Sequence, residues 1–106
     1  MFGDRYARRT PKSRKLFEEA GNYLPGGVSY AIRFFEPYPF YVSRAEGRRI
    51  WDVDGNAYTD YWMGHGALLM GHRYPPVIEA IKDQLDFLPH AGFSHEWEVK
   101  LSLIHI

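Results

Sequence analysis

One arginine set among aromatic rings, two aspartates a residue apart and five histidines are the side chains of this 106-residue sequence whose spacing invites chemistry. A metal centre needs at least three ligands converging at fixed spacing. His65 and His72 are separated by glycines, His90 and His95 lie five apart behind Pro89, and His105 stands near the end, so no zinc spacing forms and no metal is expected. There is no cysteine, which removes thiolate chemistry, disulfides and cysteine-based metal sites. Gly64-His65-Gly66 is a lone Gly-x-Gly without the third glycine or the Lys-Ser/Thr ending of a phosphate loop. It reads as a close backbone approach at a turn. Asp52 and Asp54 could act as an acid–base pair, but Asp54-Gly55 is ordinary turn chemistry, and the turn is the preferred reading. Arg33 follows the break Pro25-Gly26-Gly27 inside Ser29-Tyr30-Ala31-Ile32-Arg33-Phe34-Phe35. Its rigid donor fork suits a carboxylate. An internal salt bridge or a cation–π contact would employ it equally well, and the residues leave both roles open.

The elements that must position these groups follow from period and punctuation. A first helix is expected from Pro11 or Ser13 to Tyr23, with Thr10 as its cap, Pro11 in its first turn and Leu16, Phe17, Ala20, Tyr23 and Leu24 on one apolar face. Val28 to Pro39 is aromatic and irregular, kept extended by Pro37 and Pro39. From Phe40 the period becomes two. Phe40 to Ser43, Arg49 to Val53 and Ala57 to Trp62 read as strands, separated by Glu46-Gly47 and Asp54-Gly55, which predicts an antiparallel meander. A last helix should open at Pro75 or Pro76 and close before Pro89, burying Val77, Ile78, Ile81, Leu85 and Leu88. Glu96 to Lys100 opens a further helix. The fold class expected is α+β: helix, three-stranded antiparallel meander, helix.

Thirteen basic residues balance thirteen acidic ones, which argues against a dedicated nucleic-acid binder. The basic bias of residues 1–12 reads as a flexible, solvated terminus. No apolar run approaches the roughly 20 residues of a membrane span, and the lack of cysteine fits a cytoplasmic setting. Residues 101–106, Leu-Ser-Leu-Ile-His-Ile, resemble the translation of a sequencing adapter; they are read as foreign to the gene and set aside from the fold.

Taken together, Asp52-x-Asp54-Gly55-x-x-Tyr58-x-Asp60, Gly66 and Gly71-His72-x-x-Pro75-x-Val77-x-x-Ala80 resemble the amino-terminal signature of class III pyridoxal-phosphate aminotransferases. Leu24-Pro25-Gly26-Gly27-Val28 followed by Arg33, and Ala45-Glu46-Gly47, are similar to the glutamate-1-semialdehyde 2,1-aminomutase branch. The resemblance covers residues 13–100. It implies the amino-terminal segment of a fold type I α/β enzyme that binds pyridoxal 5'-phosphate, forms a homodimer and moves an amino group on a small amino-acid substrate. Arg33 matches the arginine that receives the substrate carboxylate, with Ser29 and Tyr30 in the same loop. His65 stands where the aminomutases usually carry a pocket tryptophan, a departure that keeps another class III aminotransferase or a racemase open as the alternative. The phosphate-binding turn, the acid facing the pyridine nitrogen and the Schiff-base lysine are expected beyond Lys100; Lys12, Lys15, Lys82 and Lys100 are not candidates. This segment therefore holds no catalytic residue of its own. A reading of another class is a free-standing α+β binding module with an aromatic groove around Arg33 and Tyr38.

Overall fold

Alternation from Val42 to Thr59 produces the expected meander. Strands β1 (Val42–Glu46), β2 (Arg49–Asp52) and β3 (Ala57–Thr59) lie side by side in that order, both pairs antiparallel. Glu46 pairs with Arg49, so Gly47-Arg48 alone closes the first hairpin. Ile50 pairs with Ala45 on one side and Tyr58 on the other. The strands sit further along the chain than alternation indicated for β1, and β3 stops at Thr59, because Asp60 opens a turn. The computed structural model describes residues 2–90 and 92–104. Its other helices are α1 (Phe2–Arg9), α2 (Pro11–Ala20), α3 (Pro75–Phe87) and α4 (Glu96–Ile104), with short 3-10 turns at Pro25–Gly27 and Ala31–Arg33. The chain divides into two units, Met1–Tyr74 and Pro75–Ile106.

The first unit is organised by the two aspartates of the second hairpin. Asp52 is only 1% exposed. Its Oδ1 accepts the backbone N–H of Asp54 at 3.0 Å and of Asn56 at 2.7 Å. Its Oδ2 accepts Asn56 Nδ2 at 2.8 Å and the Tyr58 hydroxyl at 2.7 Å. Asp54 points the other way, to α2. It accepts Lys12 N–H at 2.7 Å, Ser13 N–H at 3.0 Å and the Ser13 hydroxyl at 2.9 Å. Those are donors that an α-helix leaves unpaired in its first turn. The oxygens of both aspartates are thus taken up by hydrogen bonds within the fold.

Thr10 was the expected cap, yet its side chain makes no capping bond. It is fully buried, donates to the Tyr6 carbonyl at 2.8 Å and lies 3.1 Å from the Tyr38 hydroxyl. Asp54 takes over the cap because an ionised acceptor suits the positive helix end better than a hydroxyl. Helix α2 stops at Ala20 rather than Tyr23. Gly27, at φ +71°, then passes over the Phe17 ring so closely that a Cβ would lie 2.6 Å from it. Only glycine fits both the angle and the contact.

Helix α1 (Phe2–Arg9) lies within the stretch read as a flexible terminus. Tyr6 explains the difference. Its ring lies 5.1 Å from Tyr38 and 6.3 Å from Phe35, and its hydroxyl donates to the Tyr38 carbonyl at 2.9 Å. Burial, with Tyr38 nearby, pushes its phenol up to about 12. Arg9 adds two bonds to Asn56 Oδ1, and Asn56 Nδ2 returns one to the Arg9 carbonyl.

In the second unit, α3 opens at Pro75 as expected, but its apolar stripe is not buried. Val77, Ile81 and Leu85 stay about half exposed. Helix α4 runs through Leu101–Ile104, past the point where the natural fold was expected to end, and joins α3 through Trp97 Nε1 to Gln84 Oε1 at 2.9 Å. The remaining residues of the expected foreign tail, His105 and Ile106, lie outside the described residues, as does Met1. Among the described residues, no helix is long and apolar enough to cross a membrane.

The Asp54 cap is testable. Asp54→Ala should destabilise the first unit by about 0.5–2 kcal/mol, and Asp54→Asn, which keeps an acceptor, by less. Urea unfolding followed by far-UV circular dichroism measures both. An unmoved midpoint in the alanine variant would show that the cap is not made.

Candidate functional site

The first hairpin, closed by Gly47-Arg48, fixes a crossing further along the chain. Gly71, at φ +83°, lies against Gly47, where an added Cβ would meet the Gly47 carbonyl oxygen at 2.9 Å. The next residue, His72, exchanges both backbone bonds with Gly47, at 2.9 and 2.8 Å. This crossing brings the His72 imidazole to Asp60, Nε2 to Oδ2, at 2.6 Å. The other Asp60 oxygen accepts Trp62 N–H at 2.7 Å and Met63 N–H at 3.0 Å. Burial pushes the Asp60 carboxyl upward, but the bonds from Met63, His72 and Trp62 outweigh it and hold it below the usual carboxylate range. Asp60 is thus an anion at neutral pH, fully engaged.

Beyond Asp60 the backbone turns left-handed at four successive residues. Met63, Gly64, His65 and Gly66 have φ of 48°, 60°, 63° and 80°, and Gly66 N–H closes onto the Trp62 carbonyl at 3.0 Å. For Met63 and His65 that conformation costs about 1–2 kcal/mol each. The imidazole of His65 stands edge-on to Trp62 at 4.7 Å and 6.5 Å from the Tyr30 ring.

These pieces enclose a cleft of about 650 Å³ in the first unit. Ser29, Tyr30 and Arg33 line one part of it, Ala45 and Ile50 present the sheet face, and Asp60, Trp62, His65 and His72 complete it. All four residues singled out as substrate contacts, Ser29, Tyr30, Arg33 and His65, therefore share one cavity. Asp60 and His72 were missed as a pair. The available signal was local: an aspartate just before a glycine-rich run is an Asx-turn former.

Arg33 is exposed and donates from Nη1 to Ser29 Oγ at 3.1 Å. Among the described residues no carboxylate pairs with it and no ring lies beneath it. Tyr38, by contrast, is buried against Thr10 and does not line the cleft, so a groove around Arg33 and Tyr38 does not form.

No lysine lines the cleft. Lys12 and Lys15 are exposed on α2, Lys82 pairs with Glu79 and Lys100 with Glu96, both at 2.9 Å on the surface. Of the remaining histidines, His95 accepts Trp97 N–H at 3.2 Å in the second unit. Among the described residues no three His, Asp or Glu side chains gather as a metal site would require.

Comparison with known proteins gives this cleft a context. Residues 32–102, more than half of the chain, match the family described as Aminotransferase class-III. The chain is 48% identical over 91 residues to glutamate-1-semialdehyde 2,1-aminomutase of Methanosphaera stadtmanae, covering 86% of this chain and 22% of that protein. It is 53% identical over 75 residues to the enzyme of the same name from Archaeoglobus fulgidus, covering 71% and 18%. A solved structure described as a transaminase with PLP bound superposes at a TM-score of 0.80 with 34% identity, covering 86% and 22%. Glutamate-1-semialdehyde aminomutase of Pseudomonas aeruginosa superposes at 0.81 with 24% identity over 92% of this chain, a likeness of fold. The chain thus spans about a fifth of the length of the relatives it matches.

The electrostatics generate an acid-stability prediction. Burial raises the Asp52 carboxyl, but bonds from Asn56, Tyr58 and Asp54 outweigh it, so Asp52, like Asp60, is held below its ordinary value. A depressed carboxyl stabilises the fold above its unfolded value of about 3.9, and that contribution is lost as pH falls through the folded value. Stability should therefore drop below about pH 4. Asp52→Asn should be less stable at neutral pH and show a shallower acid loss. Urea midpoints measured across that range decide it; identical acid slopes for the two proteins would contradict the assignment.

Proposed function

The chain belongs to the class III aminotransferase family, and from that membership we propose that it is the substrate-recognising amino-terminal segment of an enzyme that moves an amino group, most like glutamate-1-semialdehyde 2,1-aminomutase. The observation that carries this reading is the exposed Arg33 guanidinium, which donates to Ser29 and lines the cleft it shares with Tyr30 and His65. Arg33 receives the substrate carboxylate through its planar fork. Ser29 orients that fork, and the rings of Tyr30 and Trp62 exclude water from the bound amino acid. Holding one end of the substrate decides which carbon is presented for reaction. Pyridoxal 5'-phosphate, held by residues outside this chain, supplies the electron sink. The Schiff-base lysine is assigned to the longer protein as well, since none of this segment's four lysines lines the cleft. The enzyme is read as a cytoplasmic homodimer.

A second reading within the family is an aminotransferase or racemase for another amino acid. His65 favours it, because an imidazole in the cleft can accept as well as donate a hydrogen bond, whereas the indole of a tryptophan only donates.

Mutation of Arg33 in the full-length enzyme tests the assignment. Arg33→Ala should raise KM by roughly ten- to a hundred-fold, the worth of a charge-assisted bidentate contact. Arg33→Lys should recover part, because an ammonium lacks the fork. Cofactor absorbance and Tm should hold in both variants. A fall in Tm with KM at the parent value would make Arg33 a packing residue.

A further inference from the structure

The turn that delivers His65 to the cleft runs against the preference of L-residues at Met63 and His65. Such a conformation persists only where the surroundings over-determine it. The internal bonds of the turn do little of this. Beyond Gly66 N–H to Trp62, they are Leu68 N–H to the Met63 carbonyl at 3.1 Å and a long Ala67 N–H to Gly64 at 3.3 Å. The firm hold comes from its entry. One Asp60 oxygen takes the N–H groups of both Trp62 and Met63, fixing the peptide planes from which the left-handed run starts. The other oxygen is pinned by His72 at 2.6 Å. His72 is itself tied to the first hairpin through two backbone bonds to Gly47. The brace thus runs from sheet to histidine to aspartate to turn.

We propose that Asp60, braced by His72, is a positioning residue that holds this left-handed turn and thereby sets where the His65 imidazole meets the substrate. The proposal rests on the reading of the cleft as the substrate pocket. Asp60 spends both oxygens on the protein and needs no contact with substrate; it acts through His65. Asparagine keeps the oxygen that serves the turn, so the geometry should survive Asp60→Asn and not Asp60→Ala.

A double-mutant cycle in the full-length holoenzyme is the test. Asp60→Ala and His65→Ala should each raise KM about three- to tenfold, the worth of one hydrogen-bonded contact. The double variant should be no worse than His65→Ala alone, and Asp60→Asn should stay near the parent. Effects that multiply, or an unmoved KM in Asp60→Ala, would overturn the proposal. Should Asp60→Ala fail to fold, amide exchange in a His72→Gln variant replaces it. Faster exchange confined to Trp62 and Met63 supports the brace, and exchange equal to the parent at both amides overturns it. Arg33→Ala run in parallel separates the two claims: an unmoved KM there removes the pocket reading, whereas multiplying Asp60 and His65 effects beside an Arg33-sensitive KM remove only this one.

Discussion

A carboxylate with almost no access to water, and with no ion pair among the described residues, is the constraint on which the first unit depends. Leaving Asp52 buried and unpartnered would cost far more than a small domain's stability. Four donors prevent that cost, and every one of them dictates geometry. The N–H groups of Asp54 and Asn56 can converge on one oxygen only if the chain between β2 and β3 turns tightly. Tyr58 must lie on the same sheet face, where its ring stacks on Phe40 at 4.7 Å. Its hydroxyl gives its proton to the carboxylate as a hydrogen bond, and burial with that neighbour raises the phenol well above its ordinary value.

From this turn the polar connections spread outward. Asp54 anchors the start of α2, and Asn56 anchors the end of α1. Among the described residues, the most buried polar side chains are Thr10, Ser13 and Asp52, with Tyr38 and Pro39 buried as well. The first hairpin presents Gly47 to the chain returning at Gly71-His72, and that crossing sets Asp60. The Arg33 segment is placed separately, by Gly27 riding over Phe17. The cleft therefore joins two independently fixed walls, one carrying the guanidinium and one carrying the imidazole.

Much of this was legible in the sequence, wherever the cause was local. Alternation with Gly47 and Asp54-Gly55 announced the meander, and Pro75 announced α3, because period and turn chemistry act over a few residues. Three features depend on distant partners. The cap of α2 comes from Asp54, more than forty residues away, while Thr10 stood in the customary place. The Asp60–His72 pair exists only because of the crossing at Gly47. Helix α1 holds through Tyr6 and Arg9, in a stretch whose charge alone looked solvated. Periodicity on α3 identified its apolar face, but it carries no information about what lies over that face. Arg33 was legible as a choice between structural and binding roles, and among the described residues its guanidinium bonds Ser29 at the cleft.

The account stands most directly on where the substrate carboxylate lies. A crystal structure of the full-length enzyme with its amino-acid substrate, or a carboxylate analogue, in the cleft would show it. The account predicts both Arg33 terminal nitrogens about 2.7–3.2 Å from the two carboxylate oxygens, with Ser29 and Tyr30 beside them. A carboxylate held by another cation, with Arg33 paired to an acid of the protein itself, would contradict it.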